Sequence, residues 1–69
     1  MNIERGSVVE YEEHKGVGVA EDGEGRRLFF HCTAMVEGSR SIAVGTEVVF
    51  QVSAGHRGCW EATSVTKLG

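Results

Sequence analysis

The side chains best equipped for chemistry in this chain are its three histidines and two cysteines. His31-Cys32 and His56-x-x-Cys59 together supply four candidate ligands for a metal ion. Their spacing misses the paired motifs of structural zinc sites. Consecutive residues of a regular strand also point to opposite faces, so a strand carrying His31 and Cys32 would part them. The same argument weakens Cys32 as a nucleophile with His31 as its base. Glu12 and Glu13 are neighbours in a turn, where a solvated role is the natural reading, and a chain this small forms no deep cleft. Gly16-Val17-Gly18 lacks the third glycine of a dinucleotide fingerprint and no helix follows it, nor is there a phosphate-cradling Gly-Lys-Ser/Thr loop. The chain reads as neither enzyme nor metal or cofactor carrier.

Binding chemistry has a better footing, in two stretches that must be positioned together. Lys15-Gly16-Val17-Gly18-Val19-Ala20 and Leu28-Phe29-Phe30-His31-Cys32 read as strands, and the turn-rich segment from Glu21 to Arg26 joins them as a hairpin. Pairing through that turn sets Val19 opposite Phe29 and Val17 opposite His31 on one outward patch. Phe30 then lies over Gly18 and beside Ala20 on the inner face. Alternation forces one of Phe29 and Phe30 outside, although a lone strand phenylalanine is more often core. The hairpin tip is acidic at Asp22 and Glu24, and its return arm begins with Arg26 and Arg27, which reads as a solvated edge.

Three further strands frame the hairpin. Ser7–Tyr11 precedes it, with Glu12, Glu13 and His14 as the turn between. Thr46–Val52 alternates so that Val48, Phe50 and Val52 face the core. Cys59–Leu68 closes the chain with Val65 and Leu68 as core residues and an extra, bulge-like residue near Trp60-Glu61. Ile42 looks inward from the loop Val36–Gly45. Ten glycines, no proline and many β-branched residues favour short strands over helices.

These residues resemble the bacterial cold-shock proteins, whose motifs read K-G-F-G-F-[IV] and V-F-V-H-F. The first keeps Lys15, Gly16 and Gly18 with valine at both phenylalanine positions; the second keeps Phe29 and His31, with Cys32 for the last aromatic. The resemblance runs from Gly6 to Leu68 and implies an all-β, five-stranded antiparallel Greek-key barrel of OB type, one domain over residues 1–69. It further implies binding of single-stranded RNA or DNA, as an RNA chaperone or expression regulator. Carried over position by position, Tyr11, Phe29 and His31 would stack on bases while Lys15, Arg40 and Arg57 meet phosphates. Trp60 has two readings, a substitute stacking ring or a filler of the barrel end.

Departures from the family pattern bear on strength. Glu10, Val17, Val19, Cys32 and Ser39 stand where the family has aromatics. Losing about 1 kcal/mol of stacking at each such platform would lower affinity by roughly three to four powers of ten, an upper-end figure because valine still offers apolar contact. A formal net charge of −3 and the acidic run Glu10, Glu12, Glu13 point the same way. Weak binding is the expectation. The alternative is a barrel repurposed to meet a protein, or a second copy of itself, through Val17, Val19 and the acidic turn. No apolar run approaches the roughly 20 residues that span a bilayer, and the N-terminus lacks the order of a signal peptide. The cytoplasm is the expected compartment, with both thiols reduced.

Overall fold

Alternating β-branched and polar residues, broken by glycine-containing turns, set the strand limits in the computed structural model, which describes residues 3–38, 41–55 and 60–68. β1 spans Ile3–Glu12, β2 Val17–Asp22, β3 Arg27–His31, β4 Glu47–Ala54 and β5 Trp60–Lys67. A single 3-10 turn, Cys32–Ala34, follows β3. The strands close in the order β1-β2-β3-β5-β4, and β4 pairs back onto β1. This is the expected five-stranded barrel. Among the described residues every strand pairing is antiparallel except β3 with β5, which run parallel and meet in register at Phe29 and Glu61, and a lone parallel bridge joins Met35 to Val65.

β1 serves two neighbours because it is long. Its first half, Ile3–Ser7, pairs with β4, and its second half, from Gly6 to Glu12, pairs with β2. Where the two pairings overlap, a Cβ at Gly6 would run into the carbonyl oxygen of Glu21. The β1–β2 register steps from Val8↔Ala20 to Glu10↔Val19, so Val9 is an extra residue that bends the strand around the barrel. β2 begins later than the pattern suggested. Lys15 and Gly16 belong to the preceding turn, where Gly16 adopts φ 66° and its N–H donates to the Glu12 carbonyl at 2.8 Å.

The core consists of Val8, Ala20, Leu28, Phe30, Met35, Ile42, Val48, Phe50, Ala62 and Val65. Phe30 fits over Gly18 as the hairpin pattern required: a Cβ there would lie 2.7 Å from the Phe30 ring and 2.8 Å from that of Tyr11. Val52 is only partly buried against the core. Two expectations for β5 fail together. Its pairing with β4 steps from Val49↔Thr66 to Gln51↔Thr63, and Ser64 sits at φ 50°, so the bulge lies at Ser64 and not near Trp60-Glu61. The extra residue therefore falls between Ala62 and Val65, letting both face inward. Leu68, three residues after Val65 with no further bulge, lies past the strand end and is 46% exposed.

Candidate nucleic-acid interface

Antiparallel register turns the outer surface of β1, β2 and β3 into cross-strand rows. Glu10, Val19, Phe29 and Glu61 form one row, running from β1 to β5. Glu12, Val17 and His31 form the next. Val19 thus stands opposite Phe29 and Val17 opposite His31, as the hairpin pairing predicts. Phe29 is 58% exposed while its neighbour Phe30 is 3% exposed, so the outward phenylalanine is Phe29. An open groove of about 410 Å³ runs beside it, with Val9, Tyr11, Val17, Val19, Val44 and Phe29 among its apolar and aromatic lining and Glu10 and Glu12 as its charged one. On the other side of Phe29, a second hollow of about 190 Å³ includes His31 and Glu61.

The charges divide by position. Lys15 is exposed in the turn before β2 and lines a shallow depression with His31, Cys32, Thr33 and Gly38. At the other end Arg27 reaches Glu10 at 3.7 Å and Glu21 at 3.5 Å, neutralising part of the acidic edge. Both pairs are exposed, so each contributes little to stability. Glu12 is the last residue of β1 and not a turn residue, which places it on the outer face beside Val17. Alternation from Glu10 could have revealed this. Glu61, by contrast, comes to the face only through the parallel β3–β5 seam, and its side chain folds against Gly55.

Trp60 sits apart from these outer rows, whereas Tyr11 belongs to the inward row and still lines the groove beside Phe29. Tyr11 pairs with Gly18 in the inward row, and its half-buried ring stacks on Phe30 with centroids 6.0 Å apart and planes at 17°. Trp60 shares the parity of buried Ala62 and pairs with Ala54, yet it is 48% exposed at the end of β5. The Arg26 guanidinium lies 5.9 Å from its ring centroid, within cation–π range. Arg40 and Arg57 lie outside the described residues, as do Ser39, His56 and Cys59.

Two local readings are corrected. The hairpin tip is not merely a solvated edge, because the Asp22 side chain is only 1% exposed. One carboxylate oxygen accepts the backbone N–H groups of Glu24 and Arg26 at 2.9 Å each, and the other accepts Arg26 Nε at 2.9 Å. Burial pushes the carboxyl pKa up, but the backbone donors and the Arg26 guanidinium outweigh it and hold the pKa below its ordinary value. Asp22 thereby ties the turn together and orients Arg26 toward Trp60. The second correction concerns His31 and Cys32. β3 ends at His31 and the chain curls into the 3-10 turn, so the two side chains are not parted by strand alternation; Cys32 Sγ lies 3.8 Å from His31 Nδ1. The Thr33 backbone N–H donates to that same Nδ1 at 3.3 Å, fixing the ring on the outer face. Among the described residues no group of three His, Cys, Asp or Glu side chains gathers to hold a metal ion.

The chain is similar to known proteins over nearly its whole length. Residues 4–68 fit the family model described as the 'Cold-shock' DNA-binding domain. The chain belongs to the cold-shock domain family. It is 39% identical over 67 residues to cold shock protein CspB of Geobacillus stearothermophilus, covering 96% of this chain and all of that protein. Cold shock protein CspD of Bacillus subtilis is 36% identical over the same shares. Among solved structures, drosophila Unr CSD456 superposes with a TM-score of 0.80 at 29% identity, over 99% of this chain and 27% of that one. Cold-shock domains are in general nucleic-acid-binding modules without catalytic activity. Among the described residues no helix is long and apolar enough to cross a membrane.

Proposed function

We propose that this protein binds single-stranded RNA or DNA, weakly and without catalysis, through the outer face of β1 to β3. The observation that carries the reading is Phe29, a ring left 58% exposed at the centre of a cross-strand row. A large ring held in water by a regular strand contributes little to the core; on this family's barrel it serves as a stacking platform. His31 offers a second planar surface one row away, and Lys15 stands beyond it where a backbone phosphate would pass. Arg57, Tyr11 and, more loosely, Arg40 complete the proposed set by resemblance, and Trp60 joins it as a substitute stacking ring from the neighbouring strand. Such binding, in the cytoplasm, suits an RNA chaperone or a regulator of expression. Replacing Phe29 by alanine tests it: oligonucleotide affinity falls while the barrel stays folded. Unchanged affinity in a folded variant would remove the face from consideration.

The groove lined by Glu10 and Glu12 and, among the described residues, by no cation favours a second reading, in which this face meets a protein. Reversing both glutamates to lysine separates the two. Nucleic-acid binding improves under the first reading; under the second, a partner contact is damaged and nucleic-acid binding stays negligible.

A further inference from the structure

The apolar platforms of the outer face each have a carboxylate as their neighbour on the next strand. Glu12 is the cross-strand partner of Val17, and Glu61 is that of Phe29. Neighbouring strands lie about 4.8 Å apart. A base lying flat on Phe29, or on the Val17–His31 pair, therefore presents an edge to one of these two side chains. Glu10 differs, because Arg27 reaches its carboxylate at 3.7 Å. Among the described residues the carboxylates of Glu12 and Glu61 take neither an ion pair nor a hydrogen bond. Glu12 thus borders the proposed stacking surface on the β1 side, and Glu61, whose side chain rests against Gly55, borders the hollow it shares with Phe29 and His31.

A carboxylate accepts hydrogen bonds and donates none. Unstacked bases are read on their Watson–Crick edges, and those edges differ in what they offer it. Guanine presents N1–H and an amino group side by side, which matches the two oxygens of a carboxylate in a bidentate pair. Cytosine and adenine present one amino group. Uracil and thymine present a single N3–H flanked by two carbonyl oxygens, which a carboxylate repels. We propose, resting on the nucleic-acid reading above, that Glu12 and Glu61 make this face selective for bases with amino donors, guanine foremost, over uracil and thymine. The same charges repel phosphate, so the selectivity accompanies a lowered overall affinity.

The test uses three short oligouridines, equal in length, whose central residue is uridine, guanosine or inosine. Inosine keeps the N1–H and carbonyl of guanine and lacks only the amino group. Affinities are measured by amide-shift titration at low salt for the wild type and for the Glu12→Gln, Glu61→Gln double variant. The expected result is guanosine over uridine by about tenfold, the scale of one bidentate pair, with inosine between them. In the double variant the uridine oligomer binds more tightly, since repulsion is removed, the guanosine oligomer loses its bidentate pair, and the preference collapses toward one. Equal affinities in the wild type would overturn the proposal. So would a preference that survives the double substitution, because the glutamates would then act only as repelling charges. Absence of binding to all three overturns the nucleic-acid reading itself, and is thereby distinguished from failure of the selectivity alone.

Discussion

Phe29 and Phe30 are consecutive residues of the same type on one strand, and they meet opposite fates. Phe30 points inward, where it packs over Gly18 under the Tyr11 ring and is 3% exposed. Phe29 points outward between Val19 and Glu61 and is 58% exposed. The inner row is complete without any ligand: ring, glycine and tyrosine fill one another's space. The outer row is not, for its apolar surface faces water and its acids flank it. Side-chain type therefore separates structure from function less well than strand parity does.

The largest expected effect falls on the inner row. Phe30→Ala should cost about 3–5 kcal/mol, most of the stability of a domain this small, and chemical denaturation would measure it. Gly18→Val comes next. With Phe30, the Glu10 carbonyl and Tyr11 all within 2.8 Å of a Cβ at that site, overpacking should cost about 1–3 kcal/mol or more. A well-tolerated valine there would contradict the close fit on which the inner row depends.

Asp22 sharpens the comparison from the hairpin tip. Asp22→Asn should lose about 1–3 kcal/mol at neutral pH, since charge-assisted bonds to two backbone N–H groups and Arg26 are weakened. The native pKa is held below the ordinary 3.8. The wild-type advantage is therefore fully present above the unfolded value and disappears as pH falls through the lowered native one. Parallel denaturation curves for the two proteins from neutral pH to below pH 3.8 would show the gap close. A gap that persists in acid would mean the carboxylate is not what holds the turn.

The smallest effect on stability belongs to Phe29→Ala, within about 0.5 kcal/mol as for other surface substitutions. Its effect on binding should be about 1–3 kcal/mol, the loss of one stacking platform. A variant that unfolds would place Phe29 with Phe30 as a core residue and dissolve the contrast.

How far the sequence disclosed this arrangement depended on how local each feature was. The pairing of Val17 with His31 and Val19 with Phe29 was legible because a short turn fixes hairpin register. Phe30 over Gly18 followed from the same register. The bulge at Ser64 is unmarked in the local pattern of β5, and Leu68, apolar by type, lies three residues from Val65 and so out of phase with it. Asp22 looked like one more acid at a turn; its burial depends on backbone donors from Glu24 and Arg26 that no pattern displays. Glu61 beside Phe29, and Arg26 over Trp60, arise where β5 closes the barrel, across a separation in sequence that local alternation does not bridge. The opposite-face argument against His31 and Cys32 failed because β3 stops one residue sooner than its apolar run.

The central claim is that the outer row, and not the inner one, meets single-stranded nucleic acid. It is tested most directly by titrating the protein with a pyrimidine-rich single-stranded oligonucleotide that carries a central guanine, at low and at physiological salt, following backbone amide shifts. Binding that weakens with salt, with shifts at Val17, Val19, Phe29 and His31 while Phe50 and Val48 stay still, is the predicted result. No shift at millimolar oligonucleotide and low salt, or shifts confined to residues off the outer rows, would contradict it.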